Sequence, residues 1–227
     1  MELKPLFAFP KWSNKLTLGL LLFMLTLPIY LGGLVVYGLD PVTLNSGYMP
    51  TQPIPYSHAL HVGQLGIDCR YCHNTVENAG FAAIPPTETC MNCHKAIRAN
   101  SPQLAPLFES YKSGKPIAWI KIHDLPDYVY FNHAAHVNAA ISCVECHGNI
   151  NHMEQVYQVQ ALNMAWCLQC HRDPVDKIRP RDQVTNLDWK PPVAEGQTLE
   201  QAKRALGEKL KEQYHINPSV DCITCHR

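Results

Sequence analysis

Every cysteine of this chain lies in the same short motif. The sequence has ten cysteines, all in Cys-x-x-Cys pairs, and a histidine directly follows the second cysteine of each pair. Thiols and imidazoles at this spacing can bind zinc, form disulfides or attach a haem covalently, so three kinds of chemistry compete. In chain order, the first to fifth motifs are Cys69/Cys72/His73, Cys90/Cys93/His94, Cys143/Cys146/His147, Cys167/Cys170/His171 and Cys222/Cys225/His226.

The trailing histidine distinguishes the three kinds of site. The spacers between the first two pairs and between the third and fourth pairs suit a zinc ribbon, but zinc leaves the fifth pair without a mate. Neither zinc nor a disulfide needs a histidine at this position. A c-type haem does, because the two thiols bind its vinyl groups and the next residue supplies an imidazole to the iron. The sequence therefore predicts five covalently bound c-type haems, with the motif histidines as proximal iron ligands.

Histidines also precede two of the motifs at equivalent places. Residues 57–73 and 132–147 both read H-x-x-H followed by Cys-x-x-Cys-His, with one extra residue in the first, and a further motif follows each. Each iron needs a group on its distal face, so we predict His58, His61, His133 and His136 as distal ligands. Two histidines three residues apart point to different places, so we expect each pair to serve two different haems.

The fifth distal ligand is open between several residues. We favour His123, which precedes the second repeat unit, and keep His215, Met153 and Met164 as alternatives. His215 opens a partial third copy, residues 215–226, that lacks the first histidine. A methionine ligand would raise the potential of its haem.

The other strong signal is an apolar stretch near the N-terminus. Residues 16–39 contain no charge and, at 1.5 Å per residue, can cross a bilayer core of about 30 Å. A cleaved signal peptide is the alternative, but its apolar region would be shorter, and no convincing cleavage site precedes Asp40. Lys4, Lys11 and Lys15 favour a cytoplasmic N-terminus.

These features predict the organisation of the whole chain. We expect a cytoplasmic N-terminus at 1–15, a transmembrane anchor at 16–39, an extended linker at 40–56 and a periplasmic pentahaem domain at 57–227, in a bacterial inner membrane. The fold class is a multihaem cytochrome c, mostly coil with short α-helices packed around five haems. One longer amphipathic helix is predicted at 197–214, where Thr198 and Gln201 form a capping box.

Longer stretches around the motifs carry a family resemblance. The H-x-x-H and Cys-x-x-Cys-His units resemble the small class III multihaem cytochromes. A closer similarity, over nearly the whole chain, is to the pentahaem cytochrome c subunit of alternative complex III. It is carried by the anchor followed in order by "GYMPTQPIPYSHALHVGQLGIDCRYCH", "HDLPDYVYFNHAAHVNAAISCVECHG", "LNMAWCLQCHR" and a terminal "CITCHR". His123, Met153 and Met164 fall in family-like stretches, which places His123 ahead of His215.

The resemblance implies an electron-transfer subunit of a respiratory quinol:acceptor oxidoreductase, with no catalytic residue of its own. The partners it implies are polytopic quinol-binding membrane subunits, an iron–sulfur subunit, a monohaem cytochrome c and, in some complexes, a terminal oxidase.

Two catalytic alternatives stand beside this interpretation. A multihaem reductase would need an iron with an open position, whereas the histidines here exceed the need for ligands. A chain that oxidises quinol alone would need a proton acceptor in its span, which offers only Thr26 and Tyr30 near its middle. The net charge is zero, so the chain lacks the excess of positive charge that is typical of nucleic-acid-binding proteins.

Overall fold

The structure is a computed structural model that describes residues 10–39 and 45–227, which belong to two separate compact units. The described part of the first unit is dominated by one helix, α1, Trp12–Leu39. Its mean hydropathy of 2.2 and its length are sufficient to cross a membrane, as predicted, although the helix begins at Trp12 rather than at residue 16. α1 is therefore a candidate membrane anchor.

The second unit begins at Asn45 and is built from short helices joined by irregular segments. A π-helix, Ala59–Gln64, comes first. The α-helices that follow are α2 Cys69–Cys72, α3 Thr87–His94, α4 Ala105–Ser113, α5 His133–Asn138, α6 Cys143–His147, α7 Met164–Arg172, α8 Leu199–Gln213 and α9 Cys222–Cys225. Short 3-10 turns occupy Pro102–Leu104, Ile150–His152, Val175–Lys177 and Arg181–Gln183. Residues 45–227 contain no β-strand, only an isolated antiparallel bridge between Ile141 and Ile178.

Each of the five motifs lies on one of these short helices. In three of them, the residue before the helix caps its free backbone N–H groups. Asp68 accepts from the backbone of Arg70, Ser142 from Val144 and Asn163 from Trp166. Local capping thus places both cysteines of the first and third motifs on a single helical turn.

The longest helix of the second unit is α8, and it confirms the prediction at 197–214. Thr198 and Gln201 form the predicted capping box. Gly207 packs so closely on the backbone of Val175 that a Cβ there would lie 1.7 Å from the carbonyl oxygen. α8 is thereby fixed to the segment that follows the fourth motif.

Residues 45–56, within the predicted linker at 40–56, belong to the second unit and pack against the rest of it. Gly47 N donates to Gln158 O, and Ile54 is buried with Met91 and Leu107 in a small apolar cluster. A second small cluster contains Ala140, Ile141, Ile178, Val184 and Leu210. Both clusters are small for a unit of this length, so apolar side chains alone supply little of its core.

Candidate haem-binding sites

The two H-x-x-H segments have the same local structure. The residue before each pair, Ser57 or Asn132, caps the following turn with its side chain. The backbone oxygen of that same residue accepts a hydrogen bond of 2.8 Å from Nδ1 of the second histidine, His61 or His136. The duplication seen in the sequence therefore extends to hydrogen bonds that orient imidazole rings.

An aromatic side chain holds both histidines in each segment, and the sequence reasoning missed it. Tyr56 stacks on His61 with ring centres 4.4 Å apart and meets His58 edge-on at 4.7 Å. Phe131 does the same with His136 at 4.5 Å and with His133 at 4.8 Å. An aromatic residue two positions before each H-x-x-H pair was the available signal.

Three of these histidines face motif histidines across a constant gap. The ring centres are 6.2 Å apart for His61 and His94, 6.0 Å for His136 and His171, and 6.4 Å for His133 and His147. Two imidazoles on opposite faces of one metal ion have ring centres about 6 Å apart, from two metal–nitrogen bonds of about 2 Å and about 1 Å within each ring. The arrangement thus suits one iron between the members of each pair.

His58 completes the pattern in the first repeat unit. It aligns with His133 in the duplication, and the His147 that His133 faces aligns with His73. Burial and the nearby imidazoles of His73 and His61 lower the pKa of His58 to about 4. Its Nδ1 is buried without a hydrogen-bond partner. By this equivalence, the first histidine of each pair belongs with the first motif of its unit, and the second histidine with the next motif.

Most of the candidate ligands have one nitrogen fixed by a backbone carbonyl. Such a bond places the hydrogen on Nδ1 and leaves the Nε2 lone pair for a metal, as is usual for ligating histidines. Nδ1 donates to Ala83 O from His73, to Ile97 O from His94, to Gly80 O from His133, to Ser219 O from His171 and to Tyr128 O from His226. These distances lie between 2.6 and 3.1 Å.

Burial keeps the central histidines neutral. It lowers the pKa of His147 to about 3, with further contributions from His123, His133 and other nearby imidazoles. Burial also lowers the pKa of His136. The neutral imidazole is the form that binds iron, so these rings are in a state suited to ligation.

The remaining candidate histidines, and His152, which is not a candidate ligand, are placed elsewhere. The ring of His123 packs edge-on against His147, 4.4 Å between centres, and its Nε2 is buried without a partner. His215 follows α8 at a left-handed φ of 55° and lines a surface pocket with Asp173 and Arg204. His152 has its Nε2 bound to Asp188 at 3.0 Å. None of these rings lies against His226.

The two methionine candidates differ in exposure. Met153 is buried in the core. Met164 begins α7 and is 67% exposed.

The ring nearest to His226 is an aromatic side chain. Tyr128 lies 5.8 Å away, and no other ring in the described part of the chain contacts this histidine. The fifth motif therefore has no facing histidine, and the first has one only by its equivalence with the third.

The alternatives to haem fit the donor groups less well. All ten cysteines are free thiols in the structure. Over residues 10–39 and 45–227, no three or more His, Cys, Asp or Glu side chains gather as a metal site would require. By contrast, cysteines on one helical turn, a following imidazole and a second imidazole about 6 Å away suit covalent haem.

A relative of known identity decides between these possibilities. The chain is 30% identical over 185 residues to the menaquinone reductase multihaem cytochrome c subunit of Nitratidesulfovibrio vulgaris, over 78% of this chain and 77% of that protein. This chain belongs to the multihaem cytochrome c family. No family model matches it. As a multihaem cytochrome c it carries covalently bound haem c.

Proposed function

We propose that this multihaem cytochrome is the electron-transferring subunit of a membrane-bound quinone oxidoreductase and holds five haems c. The observation that carries the proposal is the set of imidazole pairs whose ring centres are 6.0 to 6.4 Å apart. An iron with two protein ligands has no open position for a substrate, and its remaining chemistry is one-electron transfer.

The proposal assigns both axial ligands to four of the haems. The ligand pairs are His73 with His58, His94 with His61, His147 with His133, and His171 with His136. The haem of the fifth motif has His226 as its proximal ligand and no histidine opposite. The sequence predicts His123, with His215, Met153 and Met164 as alternatives, as a fifth distal ligand without assigning it to a particular haem. Any of them would bind the haem of the fifth motif only after a rearrangement on haem binding.

The protein around these ligands sets what each haem does. Backbone carbonyls on Nδ1 fix the ring orientation and raise the basicity of the imidazole. Tyr56 and Phe131 prevent the distal rings from turning. His147, Cys143 and Cys146 are partly buried, and this lower solvent exposure would tune the potential of the third haem relative to the more exposed ones.

The relative's name bears on the partners. It names a menaquinone reductase, a complex that acts on a membrane quinone. We propose for this chain a complex of the alternative complex III type, with polytopic quinol-binding subunits, an iron–sulfur subunit, a monohaem cytochrome c and, in some assemblies, a terminal oxidase. The candidate anchor α1 would hold the haem domain at the periplasmic face of a bacterial inner membrane, with the N-terminus in the cytoplasm.

Electron flow in this proposal runs from quinol to a periplasmic cytochrome or oxidase. Each quinol oxidised in a partner subunit becomes a quinone, releases two protons and gives two electrons to this chain one at a time. The opposite direction, toward a menaquinone, is the second candidate because the relative is named a reductase.

Two measurements test the proposal. A pyridine haemochrome assay on the purified chain should give five haems per polypeptide, and a count of zero would remove the proposed role. Anaerobic addition of menaquinol to the purified complex should reduce the haems within the time of one catalytic turnover of that complex. Haems that stay oxidised with quinol but, after chemical reduction, are rapidly reoxidised by added menaquinone would instead favour the reductase direction.

A further inference from the structure

The first and second motifs lie side by side. Asn92, between the cysteines of the second motif, donates a hydrogen bond of 3.1 Å to the hydroxyl of Tyr71, between the cysteines of the first. The H-x-x-H pair before the first motif links the same two sites, because His61 faces His94, and His58 and His73 align with the facing pair His133 and His147.

The first motif meets the third through two consecutive residues. Thr185 Oγ1 donates to Asp68 Oδ2 at 2.9 Å, and Ser142 Oγ donates to the backbone oxygen of Val184 at 2.6 Å. Asp68 and Ser142 are the residues directly before the first cysteines of these two motifs. The starts of α2 and α6 are therefore held at one point, although about seventy residues separate them in the sequence.

The third and fourth motifs share the second H-x-x-H pair. His133 faces His147 and His136 faces His171. Glu145, between the cysteines of the third motif, also pairs with Lys177 at 3.4 Å and Arg179 at 3.1 Å in the segment after the fourth motif. The shared histidine pair and the ion pairs of Glu145 hold the third and fourth sites together.

The fifth motif is tied to the fourth. His171 Nδ1 donates to Ser219 O at 2.6 Å, and the hydroxyl of Ser219 lies 3.0 Å from that of Thr224, between the cysteines of the fifth motif. Within the described residues, no hydrogen bond, ion pair or ring contact joins the side chains of the second motif to those of the third, fourth or fifth. The exposure agrees with this order, since Cys93 and Cys222, in the second and fifth motifs, are exposed, whereas both cysteines of the first, third and fourth motifs are partly buried.

We infer that the five attachment sites form a single file in the order second, first, third, fourth, fifth, which differs from their order in the sequence. The second and fifth sites are its ends, where one partner delivers single electrons and another accepts them, with no bond made or broken in this chain. The inference rests on the proposed function, since it needs haems at all five motifs.

The order is tested by injecting electrons beside the second site. Ile97 is 59% exposed, and its backbone oxygen accepts from His94. In the haem-loaded chain thioether bonds occupy the native cysteines, so Ile97→Cys offers one thiol for a ruthenium photosensitiser. Flash reduction with a sacrificial amine is followed by the haem α-band absorbance, in protein dilute enough to suppress exchange between molecules.

A variant that lacks the first site separates the two orders. With Cys69→Ser and Cys72→Ser in the labelled chain, we expect the fast phase to reduce one of the four remaining haems, because the second site is cut off. Fast reduction of all four would overturn the inference, since the sequence order leaves the second site next to the third. In the matched control, Cys222→Ser with Cys225→Ser, all four remaining haems should be reduced in the fast phase.

Two further readouts keep the inference falsifiable if the first-site variant does not fold. In a density map of the unmodified haem-loaded chain, the iron of the first site should lie closer to the irons of the second and third sites than those two lie to each other. Any other nearest-neighbour order would overturn the inference. A haemochrome count below five in the unmodified chain would instead contradict the proposed function. The count does not bear on the order in which the five motifs lie, which the density map tests.

Discussion

The two repeat units, residues 57–73 and 132–147, begin alike but differ in the type of helix that contains their second histidine. Both start with an aromatic residue two positions before the pair, a side-chain cap and two ring-oriented histidines. The first unit then forms the π-helix Ala59–Gln64, whereas the second forms the α-helix α5. A π-turn accommodates one more residue than an α-turn, and the first unit has one extra residue, so the insertion is absorbed there.

The backbones then converge again before the cysteines. Gly66 has a φ of 67°, and Ala140, at the equivalent place, has a φ of 63°. Both chains thus make the same left-handed turn into the helix that carries the motif. The two repeat units thus keep the positions of their imidazoles and cysteines although the backbone between them differs.

The largest expected effect comes from removing the second histidine of either unit. His61→Ala and His136→Ala should each convert one haem from low to high spin, because each would leave one iron with a single protein ligand. Low-temperature electron paramagnetic resonance of the oxidised protein measures this. His152→Ala, at a histidine whose Nε2 is bound to Asp188, is the matched control and should leave the spectrum unchanged. A spectral change in only one of the two variants would break the equivalence of the units.

The next effect concerns the π-helix of the first unit. A Cβ at Gly63 would lie 2.3 Å from the backbone oxygen of Asn151, so Gly63→Ala should lower the free energy of unfolding by about 1–3 kcal/mol. Gly80→Ala is the control, because a Cβ there would meet only atoms at ordinary distances of 3.7 Å or more. Chemical denaturation compares the two. Equal stability would show that the π-helix has room that the structure does not indicate.

A smaller effect is expected from the aromatic residues that hold the histidines. Tyr56→Leu and Phe131→Leu should each cost about 1 kcal/mol beyond the lost apolar area, since each removes a stacked and an edge-on ring contact. Broader resonance lines from the affected haems should accompany the loss, because the distal rings would be free to turn. Phe81→Leu, at a residue 81% exposed, serves as control. Unchanged line widths in both variants would reject the orienting role.

The smallest effect separates backbone strain from packing. No atom lies within 4 Å of a Cβ placed at Gly66, so Gly66→Ala tests the left-handed backbone alone and should cost about 1 kcal/mol. Ala140→Gly should be close to neutral, because relief of the same strain offsets the loss of a fully buried methyl group. If Ala140→Gly were strongly stabilising or destabilising, one of these two terms would be wrong.

Much of the site could be predicted from local patterns. The Cys-x-x-Cys-His motifs, the H-x-x-H pairs and the capping box of Thr198 and Gln201 each lie within a few residues, so spacing alone indicates them. The three-residue spacing also predicted that the two histidines of a pair would point to different places. The second pair agrees with this, since His133 faces His147 and His136 faces His171.

The rest depends on contacts between distant parts of the chain. Nothing near Asp68 or Ser142 in the sequence indicates that residues 184–185 will hold both helix starts together. The position of His123 on His147 is likewise set by tertiary packing, so the sequence predicted His123 as a distal ligand but not which haem it lies near. The π-helix was visible as one extra residue, but a length difference alone does not reveal how the backbone absorbs it.

The central claim is that four haems have two histidine ligands and the fifth does not. Near-infrared magnetic circular dichroism of the fully oxidised, haem-loaded chain tests it most directly, because bis-histidine, histidine–methionine and high-spin irons have separate bands. The account predicts bis-histidine intensity from four of five haems, with the fifth contributing elsewhere. Bis-histidine intensity from all five haems, or from fewer than four, would contradict it.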